Sequence, residues 1–178
     1  MKSHLPSLAQ VLPCPTEPPE RSNWQEAEEI LQTSLPSDFK DLIDVYGAGL
    51  IDDYLLLAAP GCPNDVYDLI KLTNERTEAN RSLWEFEDAP IEMQDEGNRL
   101  ICWATTDNGE YLYWLVQPDD DPEKRCLMLN DASGETWERF DMTVTQFLAA
   151  VLTGDIHSEV LWNRFPQEEH SFSSALSL

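Results

Sequence analysis

Between residues 98 and 141 the apolar positions stop recurring at helical spacing and fall into short blocks separated by turn residues. That pattern restricts the stretch to β-strands. Residues 100–104 form an apolar strand, and Asp107, Asn108 and Gly109 follow it. Asn-Gly accepts the positive φ angles of a type I′ hairpin turn. Residues 111–116 are the returning strand, 126–129 a third and 136–140 a fourth, with Ser133 and Gly134 turning between the last two. Strands chained in this way form an antiparallel meander.

Upstream the period is helical. Ser22 and Gln25 have capping-box spacing, and Trp24, Ala27 and Leu31, with Ile30 beside them, continue the helix. Phe39, Leu42, Ile43 and Tyr46 make one apolar face of a second helix, which Gly47 ends. Residues 50–59 read as one strand stopped by Pro60. A third helix is expected over 65–84, capped by Asp65, with Val66, Leu69, Ile70 and Thr73 facing inward. After the meander, Thr143 and Gln146 form another capping box, and Val144, Phe147, Leu148, Val151 and Leu152 form the stripe of a closing helix before Gly154. The order implies an α+β fold: a twisted antiparallel sheet of about four to six strands flanked by helices, in a single domain over residues 22–156. Residues 1–21, with Pro6, Pro13, Pro15, Pro18 and Pro19, read as an extended Pro-rich arm docked through Leu8, Val11 and Leu12. Residues 157–178 read as a flexible tail.

A chain of 178 residues suffices for one core. Against 34 Asp and Glu it sets only 11 Lys and Arg, a net charge of −23. Nucleic-acid and anionic-membrane binding both need a cationic face, so neither is expected. A basic protein partner is. The N-terminus lacks the apolar stretch of a signal peptide, and no apolar run is long enough to span a bilayer. The expected compartment is the cytoplasm, with Cys14, Cys62, Cys102 and Cys126 as reduced thiols and the chain a monomer or weak dimer.

Little in the sequence resembles catalytic or cofactor chemistry. His4, His157 and His170 lie near the termini and pair with no cysteine at zinc spacing, so neither a metal nor another cofactor is expected. Cys102 has no base or cation beside it; Lys124 and Arg125 precede Cys126, but neither thiol reads as a nucleophile. G-x-S-x-G and P-loop patterns are absent from the sequence. The carboxylate pairs Asp52 and Asp53, and the run Asp119 to Asp121, could serve a hydrolase only if a concave pocket gathered them. The latter run also lacks the alternation of a calcium loop. The residues themselves thus point to no catalytic site beyond such a carboxylate pair.

Leu35, Pro36 and Phe39, then Tyr46, Gly47 and Gly49, resemble the opening signature of the SUKH superfamily, the Smi/Knr-type proteins. Asp107, Asn108, Gly109 and Glu110 followed by Leu112 and Trp114 resemble its hairpin, where the family often has Asp in place of Glu110. Trp137 and Phe140 before Phe147, Leu148 and Gly154 resemble its last strand and closing helix. The resemblance spans residues 22–156, except for the long charged stretch 75–99. It implies a non-enzymatic binding domain: an immunity protein that binds and occludes a toxin domain, often a nuclease, or a regulatory scaffold of the Smi/Knr type. The expected partner contacts are Asp119, Asp120 and Asp121, held between Pro118 and Pro122, together with Asp52, Asp53, Glu110 and one aromatic anchor, Trp103.

Overall fold

The computed structural model describes residues 4–178. Its helices are α1 (Leu5–Val11), α2 (Trp24–Leu31), α3 (Ser37–Tyr46), α4 (Leu69–Leu83) and α5 (Val144–Leu152). Its strands are β1 (Gly49–Ile51), β2 (Leu55–Leu57), β3 (Arg99–Thr106), β4 (Tyr111–Val116), β5 (Leu127–Asn130), β6 (Trp137–Phe140) and β7 (Phe172–Ser174). They form one antiparallel sheet in the order β6-β5-β4-β3-β2-β1-β7. The fold is α+β in a single layer of sheet with helices on both faces.

Adjacent strand residues point to opposite faces, which locates those helices. Trp114 meets Phe39 of α3, and Trp103 meets Phe147 of α5, at ring distances of 4.7 and 6.4 Å. The neighbouring Tyr113 faces the other way and stacks on Trp137 at 5.7 Å. On that side Arg76 of α4 lies 3.8 Å over the ring of Tyr111. Because both faces are covered, every residue of β5, and all but the first of β3 and β4, is buried. A strand covered on both sides reads as a continuous apolar run, which is why its alternation is muted.

Seven strands among the described residues exceed the four to six expected, for two reasons. The stretch 50–59 is a hairpin, not one strand: Asp52 and Asp53 take φ of 52° and 54° and reverse the chain between β1 and β2. Asp tolerates this left-handed conformation better than most residues. The second reason lies in the tail. Residues 157–178 pack onto the domain, with Val160, Leu161 and Phe165 buried and β7 paired to β1. Gly49 makes the pairing possible, since a Cβ there would lie 2.4 Å from both Phe172 Cζ and Ser173 O.

The N-terminal arm also differs from expectation. It holds helix α1, whose Leu8 and the following Leu12 are fully buried, and the His4 N–H donates to Thr145 Oγ1 of α5. Proline at the first turn of a helix removes only an N–H that has no helical partner, so Pro6 starts this helix rather than breaking it.

The caps shift by one to three positions. Asn23, not Ser22, caps α2, accepting from the Glu26 N–H, while the Ser22 hydroxyl donates to the Pro60 carbonyl. Asp68, not Asp65, caps α4 by accepting from the Lys71 N–H at 2.8 Å. Residues Asp65–Tyr67 form a separate 3-10 turn, which leaves Val66 exposed. In the β3–β4 hairpin only Gly109 has a positive φ, so the turn is not type I′. It is the three-residue kind, with the glycine in the left-handed position and Gly109 N–H donating to Thr106 O. The closing helix has the expected capping box between Thr143 and Gln146.

Candidate protein-interaction surface

The strand register separates the expected contact residues into two groups. Thr105 pairs with Tyr111, Leu55 with Thr106, and Tyr111 with Asn130, so the β1–β2, β3–β4 and β5–β6 turns share one end of the sheet. Arg99 pairs with Val116 at the other end, where the β4–β5 loop carries Asp119, Asp120 and Asp121. Six residues of β4 separate the ends by about 17 Å. Asp52, Asp53 and Glu110 therefore do not join the acidic loop in one site.

At the first end, two of the three expected contacts are internal. Asp52 is buried and accepts from the N–H groups of Gln167 (3.1 Å) and Ser171 (2.9 Å), with His170 Nδ1 at 2.9 Å from its Oδ2. It pegs the C-terminal segment to the β1–β2 turn. Glu110 is also buried and takes hydrogen bonds from Tyr54 OH and Thr106 Oγ1. The same Tyr54 hydroxyl accepts from the Trp162 N–H at 2.8 Å. Burial pushes the Tyr54 phenol up to about 12, so it remains a neutral donor. Only Asp53 of this group faces solvent.

Trp103 cannot touch a partner. It is fully buried between Trp114 and Phe147, at a bulge where the register jumps from Cys102 to Ala104. Large rings on a doubly covered strand fill the core, and this one does.

The acidic loop divides as well. Asp119 and Asp121 are exposed, whereas Asp120 turns inward to Arg125, whose side chain is 1% exposed. Arg125 donates from Nε and Nη2 to the two carboxylate oxygens at 2.8 and 2.7 Å, and also to Ser34 O and Thr33 Oγ1. Burial pushes the Asp120 carboxyl up, but Arg125 and the Gln117 N–H outweigh it and hold it below the ordinary range. Asp121 caps the turn Pro122–Lys124 by accepting from the Glu123 N–H, and this bond with Lys124 also lowers its carboxyl. The loop is thus a rigid, mostly acidic rim. A second acidic segment, residues 84–97, abuts it: a Cβ on Gly97 would lie 2.7 Å from Pro118 Cγ. Sequence periodicity could not expose this neighbourhood, because it depends on where the strands end.

Most cations are held by the protein itself. Lys40, Lys71, Arg81, Lys124, Arg125 and Arg139 each pair with one of its own carboxylates. Arg76 sits over a tyrosine ring, and Arg99 donates to the carbonyls of Leu31 and Gln32. Among the described residues no three His, Cys, Asp or Glu side chains are gathered as metal ligands. No helix among the described residues is long and apolar enough to cross a membrane. The four cysteines are free thiols, with Cys102 and Cys126 buried, and burial raises both. A thiol held protonated is a poor nucleophile.

These elements coincide with a known family. The SUKH_6 model, described as SMI1-KNR4 cell-wall, matches residues 21–148, from the start of α2 into α5. The chain belongs to the SUKH family. Neither the curated proteins nor the solved structures contain a match to it. Family membership fits a binding protein of immunity or Smi/Knr type. The matched span leaves out α1, β7 and the Asp52-anchored tail, so this SUKH domain is extended at both ends by segments packed on its core.

Proposed function

We propose that this SUKH protein is a non-enzymatic immunity protein, acting in the cytoplasm as a monomer or weak dimer. It binds a basic toxin domain and occludes the cationic groove in which that domain holds its substrate. The observation that carries the reading is the disposition of charge. Net charge is −23, and the cations that could offset it locally are largely tied into internal pairs. The surface left to a partner is acidic, matching a groove built for phosphates, and attraction of this kind raises association rates by about 10 to 10³-fold at low salt.

The test asks first whether a basic toxin domain is encoded beside this gene, and then assays that domain. Equimolar protein should abolish that domain's activity in vitro, and co-expression should restore growth. A toxin domain that stays fully active in saturating excess of this protein overturns the reading. The description of the matching family model, SMI1-KNR4 cell-wall, favours one other reading, a regulatory scaffold for a cellular protein. A solitary gene whose loss alters cell-wall resistance, with no toxin beside it, would support that alternative.

A further inference from the structure

Residues 84–97 connect α4 to β3 and fall within the charged stretch outside the resemblance to known SUKH motifs. They contain Glu85, Glu87, Asp88, Glu92, Asp95 and Glu96, and no Lys or Arg. The segment is held along its length. The N–H groups of Phe86 and Glu87 both donate to Leu83 O at 3.0 Å, and the Trp84 ring lies 6.4 Å from Trp137. Met93 packs against the core, and Asn98 Nδ2 donates to Glu92 O at 2.7 Å. Gly97 closes the segment against Pro118.

Between these anchors, Phe86 is 85% exposed and Ile91 74%, the two most exposed large apolar side chains among the described residues. Solitary exposed apolar residues are ordinary. Here one short, tethered segment packs Trp84 and Met93 inward and turns Phe86 and Ile91 out, each with a carboxylate beside it in sequence. Exposed aromatic and aliphatic side chains on a tethered segment in a charged rim are contacts of the kind in which binding energy concentrates.

We propose that residues 84–97 are the docking ridge for a basic protein partner. Phe86 and Ile91 enter an apolar recess of that partner, and the exposed carboxylates of Glu85, Glu87, Asp88, Asp95 and Glu96, with Asp119 across the Gly97–Pro118 contact, pair with the Lys and Arg at its rim, while Glu92 is held by Arg139. This rests on the proposed function for the sign of the partner's charge. Charge selects the occupant: a second copy would bring the same carboxylates against these, and nucleic acid or an anionic membrane would be repelled.

The first arm of the test uses a synthetic peptide of alternating Lys and Leu, with polylysine of equal charge as the control. The Lys-Leu peptide should shift the amide resonances of residues 84–97. Its affinity should fall at least tenfold in the double variant F86S/I91S, with thermal stability unchanged, and should be unaffected by I30S. Affinity for the double variant within twofold of wild type, or shifts centred elsewhere, overturns the ridge. The second arm uses a basic toxin domain encoded beside this gene, where there is one. If wild type and F86S/I91S neutralise it equally, the ridge is overturned and the immunity reading stands. If wild type fails to bind it while the peptide result holds, the immunity reading fails and the ridge stands as the site of a different basic partner.

Discussion

At the scale of single residues, the sharpest distinction lies within Asp119, Asp120 and Asp121. In sequence they are equivalent; in the structure one neutralises a buried arginine and two face water. Breaking a buried pair leaves an uncompensated charge, so Asp120→Ala should cost about 3–5 kcal/mol. Asp119→Asn, which keeps a side chain tolerant of its positive φ, should stay within about 0.5 kcal/mol. Urea unfolding of the two variants measures both. The pair also sets a pH dependence. The Asp120 carboxyl is held below its ordinary value in the folded state, so its contribution is fully present above about pH 4, where the unfolded group titrates. It should be lost as pH falls through the lower folded value. Acid unfolding of wild type and Asp120→Ala should therefore converge as the pH drops, and curves that stay parallel would remove this role. Nothing in the run Asp119 to Asp121 marks the middle carboxylate: its partner Arg125 is held in turn by Thr33 and Ser34, which follow α2 and lie some ninety residues away.

At the scale of elements, caps and turns determine where segments begin. Asp68 accepts from the Lys71 and Gly61 N–H groups at 2.8 Å each, so Asp68→Ala should cost about 1–2 kcal/mol. Asp65 forms only an exposed ion pair with Lys71, and Asp65→Ala should cost under about 1 kcal/mol. Reversal of that order in thermal unfolding would return the helix start to Asp65. The C-terminal strand depends on a different aspartate. Asp52→Asn keeps shape and turn geometry but removes the charge that holds Gln167, His170 and Ser171. Charge-assisted hydrogen bonds carry about 1.5–3 kcal/mol each, so hydrogen exchange at residues 172–174 should accelerate at least tenfold. Exchange in β3 and β4 should change far less. Equal acceleration throughout would mean that the tail does not open separately.

At the scale of the molecule, the acidic surface governs how fast a partner arrives more than how long it stays. Asp119→Asn with Asp121→Asn removes two rim charges and spares the Asp120–Arg125 pair. Association with the cognate toxin domain should slow several-fold at low salt and its salt dependence should weaken, with dissociation nearly unchanged. Stopped-flow kinetics across a salt series measures this. Identical rates and slopes for both proteins would remove the β4–β5 loop from the interface, leaving residues 84–97 as the acidic contact.

Much of the fold was legible in the residues because local chemistry decides it. The meander, the apolar faces of α3 and α5, and the Thr143 capping box follow from spacing within a few positions, and each appears near its expected place. Family motifs are of the same kind, short and ordered along the chain. Tertiary structure alone decided which carboxylates are available. Asp52, Glu110 and Asp120 are as acidic in sequence as Asp53, Asp119 and Asp121, yet Asp52 and Glu110 are consumed by donors from distant segments, and Asp120 by an Arg125 that Thr33 and Ser34 hold in place. Trp103 is taken into the core between Trp114 of β4 and Phe147 of α5, and the tail that looked loose is drawn in by a buried aspartate more than a hundred residues away. Burial and pairing are sums over neighbours in space. Composition therefore determines how acidic the protein is, and only the packed fold determines where that acidity faces a partner.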